Sequence, residues 1–135
     1  WPVNFVSSLL KLNKNSDSLW SKYMWFSHTV ISEIIITNDD GLLLAGTFYG
    51  TDITSNICCP SIMLIKLDSL GNWVWGDTIG SLSLYGDSAH YEVGITIENT
   101  SDGGYLIFGA ANDTNDTINI NELYIVKTDS VGIMQ

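Results

Sequence analysis

At 135 residues, with 45% hydrophobic and 15% charged content, the chain is long enough to bury a core and too apolar for a disordered segment. Fifteen acidic residues against five basic ones give a net charge of −10, which repels phosphate backbones and anionic lipid surfaces and so argues against nucleic acid as a partner. No run of about eighteen apolar residues is present to insert in a membrane, no charged-then-apolar leader opens the chain, and a start on Trp1 in place of Met suggests a processed product, a fragment or an excised domain.

The first predicted elements are two strands, Leu9-Leu10-Lys11-Leu12 and a partner carrying Trp20, joined through Asn13-Lys14-Asn15-Ser16. Val30 to Thr37 and Leu42 to Tyr49 are β-branched and apolar, separated by Asn38-Asp39-Asp40-Gly41, and pair as a hairpin. After a long connection, Thr51 to Pro60, a second hairpin joins Ser61 to Leu67 with Asn72 to Ile79 through Asp68-Ser69-Leu70-Gly71, where glycine supplies a positive φ. The last predicted strands are Glu92 to Glu98, Tyr105 to Ala111, Glu122 to Thr128 and Ile133 onward, with a second long connection from Asn112 to Asn121. No stretch shows helical periodicity. Cys58 and Cys59 are adjacent, too close for a relaxed disulfide with each other. Two free thiols, a strained vicinal bridge and a link to another chain all stay open.

These elements repeat. Asp39 to Gly46 and Asp102 to Gly109 lie sixty-three positions apart and share one pattern, and Ile62 to Gly71 matches Leu123 to Gly132. Lys11, Lys66 and Lys127 hold one repeat position, and Trp20 and Trp75 each follow their lysine by nine residues. Four short antiparallel strands per period predict an all-β fold, antiparallel four-stranded blades of a β-propeller, incomplete in this chain. Residues 1–29 give the last strands of a partial first blade, 30–79 a blade, and 80–135 a blade truncated before its last Trp. A closed propeller needs about four blades or more, so further blades from the parent protein, or copies of this chain, are the expected partners.

Thr100-Ser101-Asp102-Gly103-Gly104-Tyr105-Leu106-Ile107-Phe108-Gly109, and Leu64-Ile65-Lys66-Leu67-Asp68-Ser69-Leu70-Gly71 with Trp75, resemble the propeller-like repeat of large secreted and cell-surface bacterial proteins, many of them type IX secretion cargo. The resemblance implies an extracellular or cell-surface location and a scaffold role, and it assigns no activity. Asp40 departs from that pattern where a glycine is usual, and Asn13-Lys14-Asn15-Ser16 departs from Asp-Ser-x-Gly, which makes the first repeat degenerate or terminal.

No motif announces catalysis. A lysine present in every repeat is structural, its stem along the sheet and its ammonium on a carboxylate or carbonyl. Asp68-Ser69-Leu70-Gly71 and Asp129-Ser130-Val131-Gly132 differ in spacing from the Asp-box of sialidase propellers and read as hairpin turns. Glu33, Glu92, Glu98 and Glu122 are glycosidase carboxylates by type alone, and His28 and His90 precede equivalent strands without other site features. Asp113 and Asp116 offer oxygen donors for calcium but lack the full ligand spacing, so no cofactor is expected. Asn99, Asn112 and Asn115 head Asn-x-Ser/Thr triplets.

Aromatic residues carry the binding expectation. Trp20 and Trp75 recur and are expected in the core, and Trp73, two residues from Trp75, is expected on the same strand face. Trp25, Phe26, Tyr49 and Tyr85 do not recur and are the candidates for an apolar platform that holds a glycan or protein ligand. The leading expectation is a non-enzymatic binding scaffold. The alternatives are the propeller portion of a carbohydrate-active hydrolase whose catalytic groups lie elsewhere, and a self-assembling structural subunit.

Overall fold

The structure is a computed structural model that describes residues 6–25, 29–49, 60–79, 90–113 and 121–135. Nine strands form three antiparallel sheets, with no helix among the described residues. The first sheet pairs β1 (Val6–Leu12) with β2 (Ser18–Trp25). The second has the order β3 (Thr29–Ile36), β4 (Leu42–Tyr49), β5 (Pro60–Leu67), β6 (Trp73–Ile79). The third contains β7 (His90–Asn99), β8 (Tyr105–Asp113) and β9 (Asn121–Thr128), and the strand expected from Ile133 is reduced to a single bridge between Thr128 and Met134.

The three sheets stack, with the four-stranded one in the middle. Period-two alternation makes this possible, because successive side chains of β4 and β5 leave on opposite faces and both faces are apolar. Leu43, Ala45, Ile62 and Leu64 pack on Ile97, Tyr105, Ile107 and Val126 of the third sheet. Leu44, Ile65 and Leu67 face the other way, onto Leu9 and Met24 of the first sheet. All seven of these central-sheet residues are buried, so β4 and β5 form the hydrophobic heart of the molecule.

One turn closes three hairpins. Asp68 Oδ1 accepts the backbone N–H groups of Leu70 and Asn72, and Gly71 N donates to the Asp68 carbonyl. Asp129 does the same with Val131, Ile133 and Gly132. The first hairpin, which departs in sequence, departs little in form: Asn13 Oδ1 accepts from Asn15 and Asp17, and Ser16 N donates to the Asn13 carbonyl. An amide oxygen serves as well as a carboxylate for this purpose. Ser16 adopts φ 67°, where Gly71 and Gly132 have φ 75° and 88°.

The glycines answer a second demand. A Cβ at Gly71 would stand 2.9 Å from Cη2 of Trp20, and one at Gly132 would stand 2.8 Å from Cζ3 of Trp75. Each Trp on the last strand of one sheet therefore presses on the hairpin of the next. Both indoles are half-buried between sheets, so they act as locks at the rim of the core rather than as fully buried anchors.

A correction concerns Trp73. A bulge in β6 sets Trp75 opposite Lys66 and Trp73 opposite Leu67, with Val74 as the extra residue. Trp75 consequently joins the cluster on the third sheet, whereas Trp73 faces the first-sheet side beside Leu67 and Met24. The two are on opposite faces, not one.

Two stability outcomes follow from the lock. Gly71→Ala and Gly132→Ala each combine a left-handed backbone cost of roughly 1 to 2 kcal/mol with a steric conflict against the indole. Ser16→Gly relieves that backbone cost and meets no described indole, so urea midpoints should fall for the first two and hold or rise for the third. A lowered midpoint for Ser16→Gly contradicts the equivalence of the turns. Trp75→Ala should cost on the order of 3 kcal/mol, a large-aromatic truncation at a packed site, read from the same midpoints.

Candidate functional site

The charged residues that recur are bound into the fold. In the β3–β4 turn, Asp39 accepts from the Thr37 hydroxyl and from Gly41 N, and both its oxygens receive Lys66 Nζ at 2.9 Å. Lys66 also donates to the Leu67 carbonyl at 3.2 Å, and its side chain is only 3% exposed beneath the third sheet. Asp102 repeats this pattern with Thr100, Gly104 N and Lys127, whose Nζ lies at 2.6 Å and also reaches Gln135 Oε1. Asp40 takes φ 60° where Gly103 has φ 86°, a conformation that aspartate tolerates better than most residues, which explains the departure from Gly-Gly.

These contacts set the carboxylate acidities. The Thr37 hydroxyl, followed by the Lys66 ammonium, holds the Asp39 pKa at about 2. Lys127 and then Thr100 hold Asp102 well below the ordinary carboxylate range. The Asp68 carboxyl is lowered too, first by the backbone and side-chain N–H groups of Asn72.

Lys11 occupies the same repeat position but takes a different partner. It instead crosses to the Ser69 carbonyl of the second sheet at 3.2 Å and lies 5.9 Å from the ring centroid of Trp20. Glu33 is likewise committed: its Oε2 accepts from the Thr96 hydroxyl and, at 2.6 Å, from Ile97 N, tying β3 to β7. Asn99 Nδ2 adds a second tie to the Ile36 carbonyl at 2.8 Å. Glu33 is thus an inter-sheet clamp whose bonds compete with any catalytic role.

A cleft of about 510 Å³ opens where β2 meets the β5–β6 hairpin, lined by Lys22, Tyr23, Met24, Leu67, Asn72 and Trp73. Lys22 Nζ donates to Asn72 Oδ1 at 3.0 Å, while Asn72 Nδ2 donates to Asp68 Oδ2. A second, smaller cleft of about 260 Å³ shares Trp73 as a wall and includes Gly76, Asp77 and Thr78. Trp73 and Tyr23 are 59% and 74% exposed, an unusual expense of aromatic surface for residues the fold does not bury.

Of the sequence-derived aromatic candidates, the structure describes Tyr49 and the backbone of Trp25. Trp25 ends β2 opposite Val6, and Tyr49 ends β4 opposite Pro60 with its side chain half-buried. Phe26 and Tyr85 lie outside the described residues, as do Asp116, His28, Cys58 and Cys59. Asp113 ends β8 opposite His90. Among the described residues no group of three metal-ligating side chains occurs, and no helix is long and apolar enough to cross a membrane. The signal that points to Trp73 and Tyr23 is non-recurrence: Ser18 and Met134 stand at the repeat position of Trp73, and Thr78 at that of Tyr23.

No protein-family model matches the chain, and no curated protein matches it either.

The lowered acidities predict an acid response of definite sign. A carboxylate whose folded pKa lies below its unfolded value adds stability that is complete above the unfolded pKa, near 3.8 for Asp39, and is lost as pH falls toward about 2. Asp102 acts in the same direction and into lower pH. Stability from urea titrations should thus be level at neutral pH and drop below about pH 4, and the double variant Asp39→Asn, Asp102→Asn should be weaker at neutral pH with a shallower drop. Equal acid slopes in the two proteins would contradict the pairing.

Proposed function

We propose that this chain is part of a non-enzymatic, secreted or cell-surface scaffold and binding module of the β-propeller kind, in which further sheets of the same repeat cover the outer face of the third sheet. One observation carries the reading. Leu123 and Ile125 on β9 hold the repeat positions of Ile62 and Leu64 on β5, yet they are 72% and 52% exposed where Ile62 and Leu64 are fully buried. Leu106 and Phe108 on β8 likewise correspond to Leu43 and Ala45, which are covered by the third sheet. An apolar sheet face of this size is unfavourable in water by roughly 25 cal/mol per Å², which is large against a marginal total stability.

The non-enzymatic part rests on how the recurring polar groups are used. The recurring lysines and aspartates are engaged in turn closure and sheet-to-sheet bonds, and a scaffold needs such groups once per repeat whereas a catalytic residue is needed once per site; Glu33, which does not recur, is committed to a sheet-to-sheet bond. The secreted or surface location follows from the repeat resemblance alone, and the acidic net charge suits a soluble scaffold.

Sedimentation of the 135-residue chain tests the reading. The expected outcome is concentration-dependent association through the third sheet, abolished by the double variant Leu123→Glu, Ile125→Glu while the β-sheet circular dichroism signal persists. A cooperative, stably folded monomer that ignores these substitutions would sink the proposal that the face is built for a further sheet.

A further inference from the structure

Resting on that binding-module reading, we propose that Trp73 is the platform of a saccharide site, with the two clefts on either side of it taking successive units of a neutral, hydroxyl-rich glycan. The indole forms a ridge: it lines both the cleft shared with β2 and the smaller cleft over β5 and β6. Its six-membered ring rests against Gly76, where a Cβ would come within 2.5 Å of Cη2 and Cζ2, so glycine permits the close seat. The ring is held by backbone and still more than half exposed, which fixes its orientation before any ligand arrives.

The surroundings supply what a pyranose requires. The apolar C–H face of a sugar stacks on an aromatic ring, and its hydroxyls need both donors and acceptors at the rim. On one side stands the Lys22 ammonium, which spends one proton on Asn72 Oδ1 and has others to donate. On the other, Asp77 lines the smaller cleft, its Oδ1 accepting from Thr78 N at 2.8 Å. The pairing of one cation with one anion, within a chain of net charge −10, favours neutral sugars over uronic acids or sulfated glycans.

The fold gives no competing reason for these residues. The repeat position of Trp73 is filled by Ser18 in the first sheet and Met134 after the third, that of Tyr23 by Thr78, and that of Lys22 by Asp77. The hairpins close alike in every case. This site also lies on the first-sheet side of the second sheet, away from the third sheet's uncovered outer face, so occupation of one leaves the other open.

The test is calorimetric titration of the 135-residue chain with cellohexaose, laminarihexaose, mannohexaose and chitohexaose, with hexagalacturonate as the anionic comparison. At least one neutral hexasaccharide should bind, with Trp73→Ala weakening it by about tenfold or more and Trp73→Tyr restoring most of the loss. Because Trp73 is exposed, the Trp73→Ala unfolding midpoint should stay near that of the parent chain, which separates lost binding from lost fold. Absence of binding by every neutral glycan, binding undiminished in Trp73→Ala, or tighter binding of hexagalacturonate would each overturn the site assignment. Binding undiminished in Trp73→Ala leaves the binding-module reading intact, whereas shortened oligosaccharides after incubation overturn its non-enzymatic part and leave the Trp73 site standing.

Discussion

The contact on which the stack depends is an indole pressed onto a glycine across two sheets. Trp20 on Gly71 and Trp75 on Gly132 are the same contact made twice, and each couples a strand of one sheet to the turn of the next. It constrains three things at once. The hairpin must reach the left-handed region at its fourth residue, that residue must lack a Cβ, and the turn must be held by an Asp or Asn side chain so that the glycine stays beneath the ring. Ser16 satisfies the first and third demands and fails the second. A sheet laid over the first hairpin with the same Trp geometry would place the indole against the Ser16 Cβ, so the outer side of the first sheet is not equivalent to the faces that the locks close.

Much of this was readable in the chain because it is local. Strand positions follow from β-branched runs between Asn-Asp-Gly signals, and the predicted Leu42 to Tyr49 strand has the bounds of β4. The lysine role was readable too, since a residue that recurs once per repeat serves the repeat. Lys66 and Lys127 pair with Asp39 and Asp102, as a structural reading requires. What escaped depends on geometry that residue counting does not carry. Alternation put Trp73 beside Trp75 on one face, and one bulge in β6 reversed it. The first strands carry matching irregularities, between Ile31 and Glu33 and between Gly94 and Thr96, and only with these in place does Glu33 reach Thr96.

The polar ties between sheets reveal a division of labour. Hydrophobic alternation decides which faces meet in the stack, and polar ties add direction to the packed contact. Directional bonds from Glu33 to Thr96 and Ile97, from Asn99 to Ile36, and from Lys11 to Ser69 supply the register. Each crosses between sheets whose strands are dozens of residues apart in sequence. A partly buried carboxylate with two donors, such as Glu33, is well suited to this, since an incorrect offset would leave its charge desolvated without partners.

The same logic separates scaffold from function. Positions that recur are explained by turn closure, strand alternation, the lysine pair or the Trp lock, and they carry no information about a ligand. Positions that differ while their backbone repeats are free of those demands, and Lys22, Tyr23 and Trp73 are three such positions, brought to one cleft with Asn72 of the turn by the docking of two sheets. They form two adjacent pairs that lie fifty positions apart in the chain. Lys22 and Tyr23 come from one sheet and Asn72 and Trp73 from the next, so the cleft exists only once the Trp20 lock has set the first sheet against the second hairpin. The constraint that makes the fold repetitive therefore also creates, at each junction, a non-repetitive seam whose lining can vary without cost to the stack, and it is in that seam that the exposed indole sits.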